Sequence, residues 1–201
     1  MSVAVAISQR VQLIAEYGER RDCLDQQWAA FLHACDLLPI PVPNFPTGVD
    51  SMLSHARVRG IVLTGGENLA AFGGTSPERD ATEQALLTYA RRENLPVLGV
   101  CRGMQHLVHS CGGTLRSVAG HVACSHTIDC QGRTRVVNSF HSLAADRLPD
   151  ELEIVASCTD GVVEAVRHRS APWFGIMWHP ERNPSPDAAD VALFQELFHS
   201  S

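Results

Sequence analysis

The stretch Leu98-Gly99-Val100-Cys101-Arg102-Gly103-Met104-Gln105 sets a cysteine between two glycines, each two residues away. Pro96-Val97-Leu98-Gly99-Val100 reads as a short buried strand, and Met104, Leu107, Val108 and Cys111 then recur at helical spacing. Cys101 therefore stands at a strand-to-helix corner. So sharp a corner pushes its central residue towards strained dihedrals and demands small neighbours, which Gly99 and Gly103 supply. The helix starting beside Cys101 turns unpaired N–H groups and a positive dipole end towards the sulfur, favouring thiolate over thiol. The alternative is a buried cysteine packed beneath a helix. Gly-x-Cys-x-Gly in this context matches the nucleophile elbow of α/β hydrolases with sulfur in place of oxygen, and makes Cys101 a candidate nucleophile.

On the N-terminal side of that corner, apolar runs alternate with helical periods. Val3 to Ile7 is a first strand; Leu24, Trp28, Phe31, Leu32 and Cys35 share one helical face; Leu37 to Val42 is a second strand, confined to an edge by Pro39, Pro41 and Pro43. Gly60 to Thr64 is a buried strand, followed by a Gly65-Gly66 loop and a helix from about Pro77 to Glu93. Strand-then-helix units in succession predict an α/β fold, a mostly parallel central sheet with helices on both faces, and a ligand at the carboxyl ends of the strands. On the C-terminal side, Leu152 to Cys158 and Val162 to His168 are strand-like and joined through Asp160-Gly161, and Trp173 to Trp178 is a third strand. These predict an antiparallel extension, closed by a helix carrying Val191, Phe194, Leu197 and Phe198 on one face.

The chain has 201 residues, 45% of them hydrophobic, enough for a sizeable core and, as expected here, a single domain over 1–201. A formal charge of -6 with scattered Lys and Arg argues against nucleic acid or an anionic membrane as partner and leaves a small molecule. No apolar run is long enough to span a bilayer, and the start lacks a basic leader, so a cytoplasmic protein is expected. Its seven cysteines have no regular spacing and read mostly as small apolar residues.

A nucleophile needs a base. His179 ends a strand and precedes Pro180, which keeps it extended, and in an extended chain Glu181 projects to the same side, able to accept from one imidazole nitrogen while the other faces Cys101. That is the logic of a nucleophile, base and orienter. Backbone N–H groups from Gly65-Gly66 and from Arg102 are placed to hold an oxyanion. His121, Cys124, His126 and Cys130 lie in one short segment, but their spacing fits none of the usual paired zinc patterns, so no metal is expected. Gly73-Gly74-Thr75 lacks the Gly-Lys-Ser/Thr ending of a phosphate loop and reads as an active-site loop.

Gly99-Val100-Cys101-Arg102-Gly103-Met104-Gln105, Val137-Asn138-Ser139-Phe140-His141, Asp160-Gly161-Val162-Val163-Glu164-Ala165 and Gly175-Ile176-Met177-Trp178-His179-Pro180-Glu181 occur in that order. Together they resemble the class I glutamine amidotransferase superfamily, with its flavodoxin-like fold, in its γ-glutamyl hydrolase (peptidase C26-like) branch. The resemblance implies a γ-glutamyl thioester on Cys101, His179 as base, Glu181 as its orienter, and an oxyanion hole from the amides of Gly66 and Arg102. It also implies that Gln105 and the Ser139-Phe140-His141 backbone hold the glutamyl group, that His141 itself is structural, and that no cofactor is needed. The segment Ile7 to Arg10 and Tyr17 to Trp28 is similar to that of the γ-glutamyl-CDP-amidate hydrolases of bacterial capsule phosphoramidate synthesis. In that reading Arg10, Arg20 or Arg21 meets a pyrophosphate, since guanidinium forks bind phosphate oxygens well; a solvated helix start is the alternative. Three functions stay open: a stand-alone γ-glutamyl hydrolase, a glutaminase passing ammonia to a separate synthase, and a non-enzymatic protein of the same fold. A second copy of the chain is also open as partner.

Overall fold

The computed structural model describes residues 2–199. In chain order, strand Val3–Ser8 (β1) precedes the hairpin Arg10–Ile14 (β2) and Glu19–Cys23 (β3), helix Gln27–Ala34 (α1), strand Leu37–Val42 (β4) and helix Val49–Ala56 (α2). Strand Ile61–Leu63 (β5), helix Pro77–Glu93 (α3), strand Val97–Val100 (β6) and helix Arg102–Ser110 (α4) follow. The remainder is mostly strand: Thr114–Ser117 (β7), Val122–Cys130 (β8), Arg133–Phe140 (β9), Leu143–Arg147 (β10), Leu152–Cys158 (β11), Val163–His168 (β12) and Trp173–Ile176 (β13), closed by helix Ala188–His199 (α5).

Nine strands form the main sheet, in the order β4-β1-β5-β6-β13-β12-β11-β8-β9. The pairs from β4 to β13 are parallel and those from β13 to β9 antiparallel, as the sequence pattern predicts. β4 lies at the sheet edge, where its prolines leave no ladder donor missing from a central position. Alternation along the parallel strands divides the core into two layers. Val5, Ile7, Val62, Leu98 and Val100 pack beneath α1 and α5, whereas Ala6, Ile61, Leu63 and Val97 face α2 and α3. On the first layer the Phe31 and Phe194 rings meet edge-on at 4.8 Å, a geometry that adds to the ~1.5–3 kcal/mol each buried ring contributes. Met104 and Val108 of α4 join Leu115, Ala145 and Val166 in a further cluster beside the antiparallel strands.

Two segments differ from the sequence reading. Residues 10–23 are not the start of a helix but the exposed antiparallel hairpin β2–β3. All of β3 but Cys23 is charged, and the apolar residues of β2 are left uncovered, with Leu13 exposed, so the hairpin fully buries no residue and forms a sheet of its own. Residues 114–147, which carry no clear apolar period, form four strands, β7 pairing with β10 and β8 with β9. The carboxyl ends of β1, β5, β6 and β13 open on one rim of the sheet. They deliver Gln9-Arg10, Thr64-Gly65-Gly66, Cys101 and Met177-Trp178-His179 to it.

Candidate active site

Cys101 lies between β6 and α4 with φ 52° and ψ -104°, a combination that costs a non-glycine residue ~1–3 kcal/mol and persists only where the surroundings enforce it. They do. A Cβ on Gly103 would lie 2.1 Å from the Leu63 carbonyl oxygen, and one on Gly99 would lie 2.5 Å from the Gly103 carbonyl carbon. Helix α4 can therefore press onto β5 and β6 only because both positions lack a side chain. The Cys101 amide donates to the Ile176 carbonyl at 2.7 Å, tying the corner to β13.

His179 follows β13 and meets Cys101 through a side-chain hydrogen bond. Its Nδ1 lies 2.7 Å from Glu181 Oε1, and all three residues are buried. The expected contact is present, but its backbone differs from the expectation. His179 is extended, with φ -111° and ψ 90°, and Pro180–Arg182 then close a 3₁₀ turn. Glu181 thus folds back onto the imidazole instead of alternating along a strand. Burial pushes the imidazole down, but the hydrogen bonds and negative charge of Cys101 and Glu181 outweigh it and lift His179 to about 9. His179 is therefore set up as the imidazolium around neutral pH.

Asn138, quoted in a sequence motif but given no role there, clamps the His179 backbone. Its Nδ2 donates to the His179 carbonyl at 2.8 Å, and its Oδ1 accepts from the His179 amide at 2.8 Å. Its neighbours behave differently from one another. Ser139 is fully buried and donates to the His121 carbonyl at 2.7 Å, while Phe140 is part-exposed and sets its ring edge-on to His179, 5.7 Å between centroids. Gln105 is buried on α4 and donates to the Leu143 carbonyl at 3.0 Å. That bond leaves its amide oxygen as the end able to face a ligand.

Gly65 lies against the imidazole so closely that a Cβ there would sit 2.5 Å from His179 Cε1. Beneath the Gly65-Gly66 loop runs a buried charge network that the sequence did not disclose. Arg79 donates Nε to Glu83 at 2.9 Å, Nη1 to Glu67 at 2.9 Å, and Nη2 to the Thr64 and Gly65 carbonyls at 2.7 and 3.1 Å. The Arg102 side chain turns away from the rim and pairs with Glu83 and Asp80, leaving Nε unbonded. Ser8 donates to Glu83 at 2.8 Å and accepts from the Thr64 amide at 2.9 Å. Burial alone would raise the Glu83 carboxyl; Arg102 and Arg79 overcome it and hold the group at about 2. The loop after β5 and the first turn of α4 are thus fastened to the same carboxylate. Both supply the amides expected to face an oxyanion.

A cleft beside these residues is lined by Arg10, Trp28, Gly65, Gly66, His179, Glu181 and Arg182. Of the arginines proposed from sequence, only Arg10 reaches it. Arg20 pairs with Glu78 and donates to the Thr75 carbonyl at 3.0 Å, and Arg21 pairs with Glu19 at 2.9 Å. The Gly73-Gly74-Thr75 loop accordingly holds the hairpin and does not line the cleft. Arg182, which the sequence reading passed over, does line it, with its guanidinium 4.6 Å from the centre of the Phe140 ring. His-Pro-Glu-Arg at the end of a strand was the available signal.

The glutamine amidotransferase class-I profile matches residues 24–199. A gamma-glutamyl-CDP-amidate hydrolase of Campylobacter jejuni is 29% identical over 198 residues, covering 96% of each chain. The carbamoyl phosphate synthase small chain of Parasynechococcus marenigrum is 31% identical over 182 residues, 87% of this chain and 44% of that one. A glutamine amidotransferase of Thermotoga maritima has the same fold, with a TM-score of 0.68 at 18% identity over 98% of this chain and 81% of its own.

Proposed function

The chain belongs to the class-I glutamine amidotransferase family and is a hydrolase of C–N bonds; within that class we propose that it cleaves a γ-glutamyl amide through a thioester on Cys101. The observation that carries this reading is the hydrogen-bonded series Cys101, His179 and Glu181 on the rim where the parallel strands end. Cys101 Sγ attacks the γ-carbonyl carbon, and the developing oxyanion is held by the amides of Gly66 and Arg102. The amide C–N bond breaks as His179 gives its proton to the leaving nitrogen. Water then attacks the thioester, His179 takes a proton from it, and glutamate departs with the Cys101 thiolate restored. Glu181 keeps the imidazole ring oriented throughout.

The proposed leaving group is a nucleotide amidate. Its support is the similarity to the C. jejuni enzyme along nearly the whole chain, together with two cations, Arg10 and Arg182, on the cleft wall. On the resemblance drawn from the sequence, this belongs to capsule phosphoramidate synthesis. A panel of γ-glutamyl-CDP-amidate, neutral γ-glutamyl amines and free glutamine, followed by mass spectrometry, tests the assignment. Preferred turnover of the amidate with a glutamyl adduct on Cys101 is expected. Glutaminase activity that appears only with an added synthase would instead make this chain an ammonia-supplying subunit, as the similarity to a carbamoyl phosphate synthase small chain allows.

A further inference from the structure

In the antiparallel half, His121 and His126, just before and within β8, meet Cys158 and Glu164 from β11 and β12. One donor atom from each lies within 4.8 Å of all the others. His121 Nδ1 is 3.5 Å and His126 Nε2 is 3.4 Å from Glu164 Oε1, close to the roughly 3.3 Å edge of a tetrahedron whose metal bonds are about 2.0–2.1 Å. Cys158 is buried and in side-chain contact with Glu164.

Hydrogen bonding does not account for these atoms. His121 Nδ1, His126 Nε2 and Glu164 Oε2 are buried without a hydrogen-bond partner, although His121 is 4% and Glu164 0% exposed. Buried polar atoms seldom go unpaired, and three on neighbouring side chains of one cluster call for a shared partner. The surrounding groups dispose them to receive a cation. Asp160 Oδ2 lies 2.9 Å from His121 Nε2; by accepting the proton there, it leaves the Nδ1 lone pair facing the cluster. His141 Nε2, 3.2 Å from Glu164 Oε1, steadies the carboxylate in the same way. A carboxylate behind a ligating imidazole is the usual outer support of a metal site.

We infer that His121, His126, Cys158 and Glu164 form a closed, tetrahedral binding site for a divalent transition-metal ion, with zinc the best match to two imidazoles, one thiolate and one carboxylate. All four positions are filled by protein, so the ion is structural. It joins β8, β11 and β12, and through the His121 carbonyl, which accepts from Ser139 Oγ and the His141 amide, it anchors the segment that presents Phe140 to His179. The sequence reading, restricted to His121, Cys124, His126 and Cys130, missed the set because Cys158 and Glu164 arrive from a different hairpin. Cys124 donates to the Gly120 carbonyl instead.

The test is a cobalt titration of the reduced, chelator-stripped full chain, performed on Cys101→Ala so that the active-site thiol is silent. Binding of one equivalent is expected, with the visible bands of a tetrahedral ion and a thiolate-to-cobalt band, all displaced by zinc. Cys158→Ser should remove the thiolate band while circular dichroism still reports a folded protein. Asp160→Asn, which alters no ligand, should weaken binding by roughly ten- to a hundredfold. Zinc at a hundredfold excess over its dissociation constant should raise the unfolding midpoint by roughly 5–10 °C. Cobalt that binds without tetrahedral bands, or an unfolding midpoint indifferent to zinc, overturns the site. So does a thiolate band that survives Cys158→Ser, which would point to another cluster such as Cys111, Glu151 and His168.

Discussion

Two buried polar clusters flank the cysteine–histidine pair, and they are built on opposite principles. Beneath the parallel half, Arg79 and Arg102 meet Glu67, Asp80 and Glu83; every nitrogen of Arg79 and both oxygens of Glu83 have partners. Beneath the antiparallel half, three imidazoles crowd one oxygen of Glu164, and donor atoms are left over. A network whose charges answer one another serves as a support, and here it fixes the loop and helix turn that supply the proposed oxyanion hole. A network whose lone pairs converge without protons to share is arranged around something else. The active site lies between them and borrows rigidity from both.

The largest effect should come from changes that touch neither cluster. Cys101→Ala is expected to lower kcat at least ~10²-fold while leaving the fold and metal binding unchanged. His179→Ala should be comparably damaging and Glu181→Ala milder, since that residue only orients the ring. If Glu181→Ala were as damaging as Cys101→Ala while His179→Ala was mild, base and orienter would be exchanged. If Cys101→Ala abolished metal binding, the two halves would not be separable in the way the geometry indicates.

Glu83→Gln tests the charge-paired cluster directly. Removing the shared carboxylate leaves two buried guanidinium groups short of charge, and breaking a buried pair in this way costs about 3–5 kcal/mol. Chemical denaturation should register that loss, with cobalt binding at the other cluster unaltered in any protein that remains folded. Unchanged stability would mean that Glu67 and Asp80 suffice, and that Glu83 is not the centre of the network.

The charge network around Glu83 and the active site it supports should also fail at opposite ends of the pH scale. Glu83 titrates lower in the folded chain, near 2, than a free carboxyl at 4.5, so its contribution to stability is complete above about pH 4.5 and is lost as pH falls towards 2. His179 titrates higher, near 9, than a free imidazole at 6.5, so its contribution is complete below about pH 6.5 and is lost as pH rises through 9. Stability measured from pH 2 to 10 should form a plateau with Glu83→Gln removing part of the acid limb and His179→Ala part of the alkaline one. In kcat/KM the alkaline limb should fall near 9, where the imidazolium that protonates the leaving nitrogen disappears. An alkaline limb at 6.5 would show that Cys101 and Glu181 do not hold the proton.

How much of this could be read in the chain differs between the halves for the same physical reason. The parallel strands β5, β6 and β13 are largely buried on both faces and read as apolar runs ending in a motif, so Cys101, His179 and the Gly65-Gly66 loop were legible together with the strands that carry them. In β8 and β9 most side chains are exposed, no period marks the strands, and the partners of His121 and His126 could not be found by spacing. Arg79 and Glu83 were hidden differently. They lie on a helix rich in charged residues, and nothing in its sequence marks these two as the ones buried beneath the loop after β5.

The smallest effect separates the two sets of arginines, and it decides the leaving group. Arg20 and Arg21 are exposed and already matched to Glu78 and Glu19, contacts of a kind that water and salt largely screen. Replacing both with Ala should change kcat/KM for γ-glutamyl-CDP-amidate by no more than roughly twofold. Arg10 has no carboxylate partner among the described residues and faces the cleft. Its loss removes a charge-assisted contact worth ~1.5–3 kcal/mol if a diphosphate binds there, or roughly ten- to a hundredfold in kcat/KM. A neutral γ-glutamyl anilide has no diphosphate to lose and should be turned over almost unchanged by Arg10→Ala. Equal losses on both substrates would mean that Arg10 supports the Gly65-Gly66 loop and not the ligand. A loss confined to the amidate in the Arg20 and Arg21 variant would return the diphosphate to the hairpin and move the binding surface off the cleft wall.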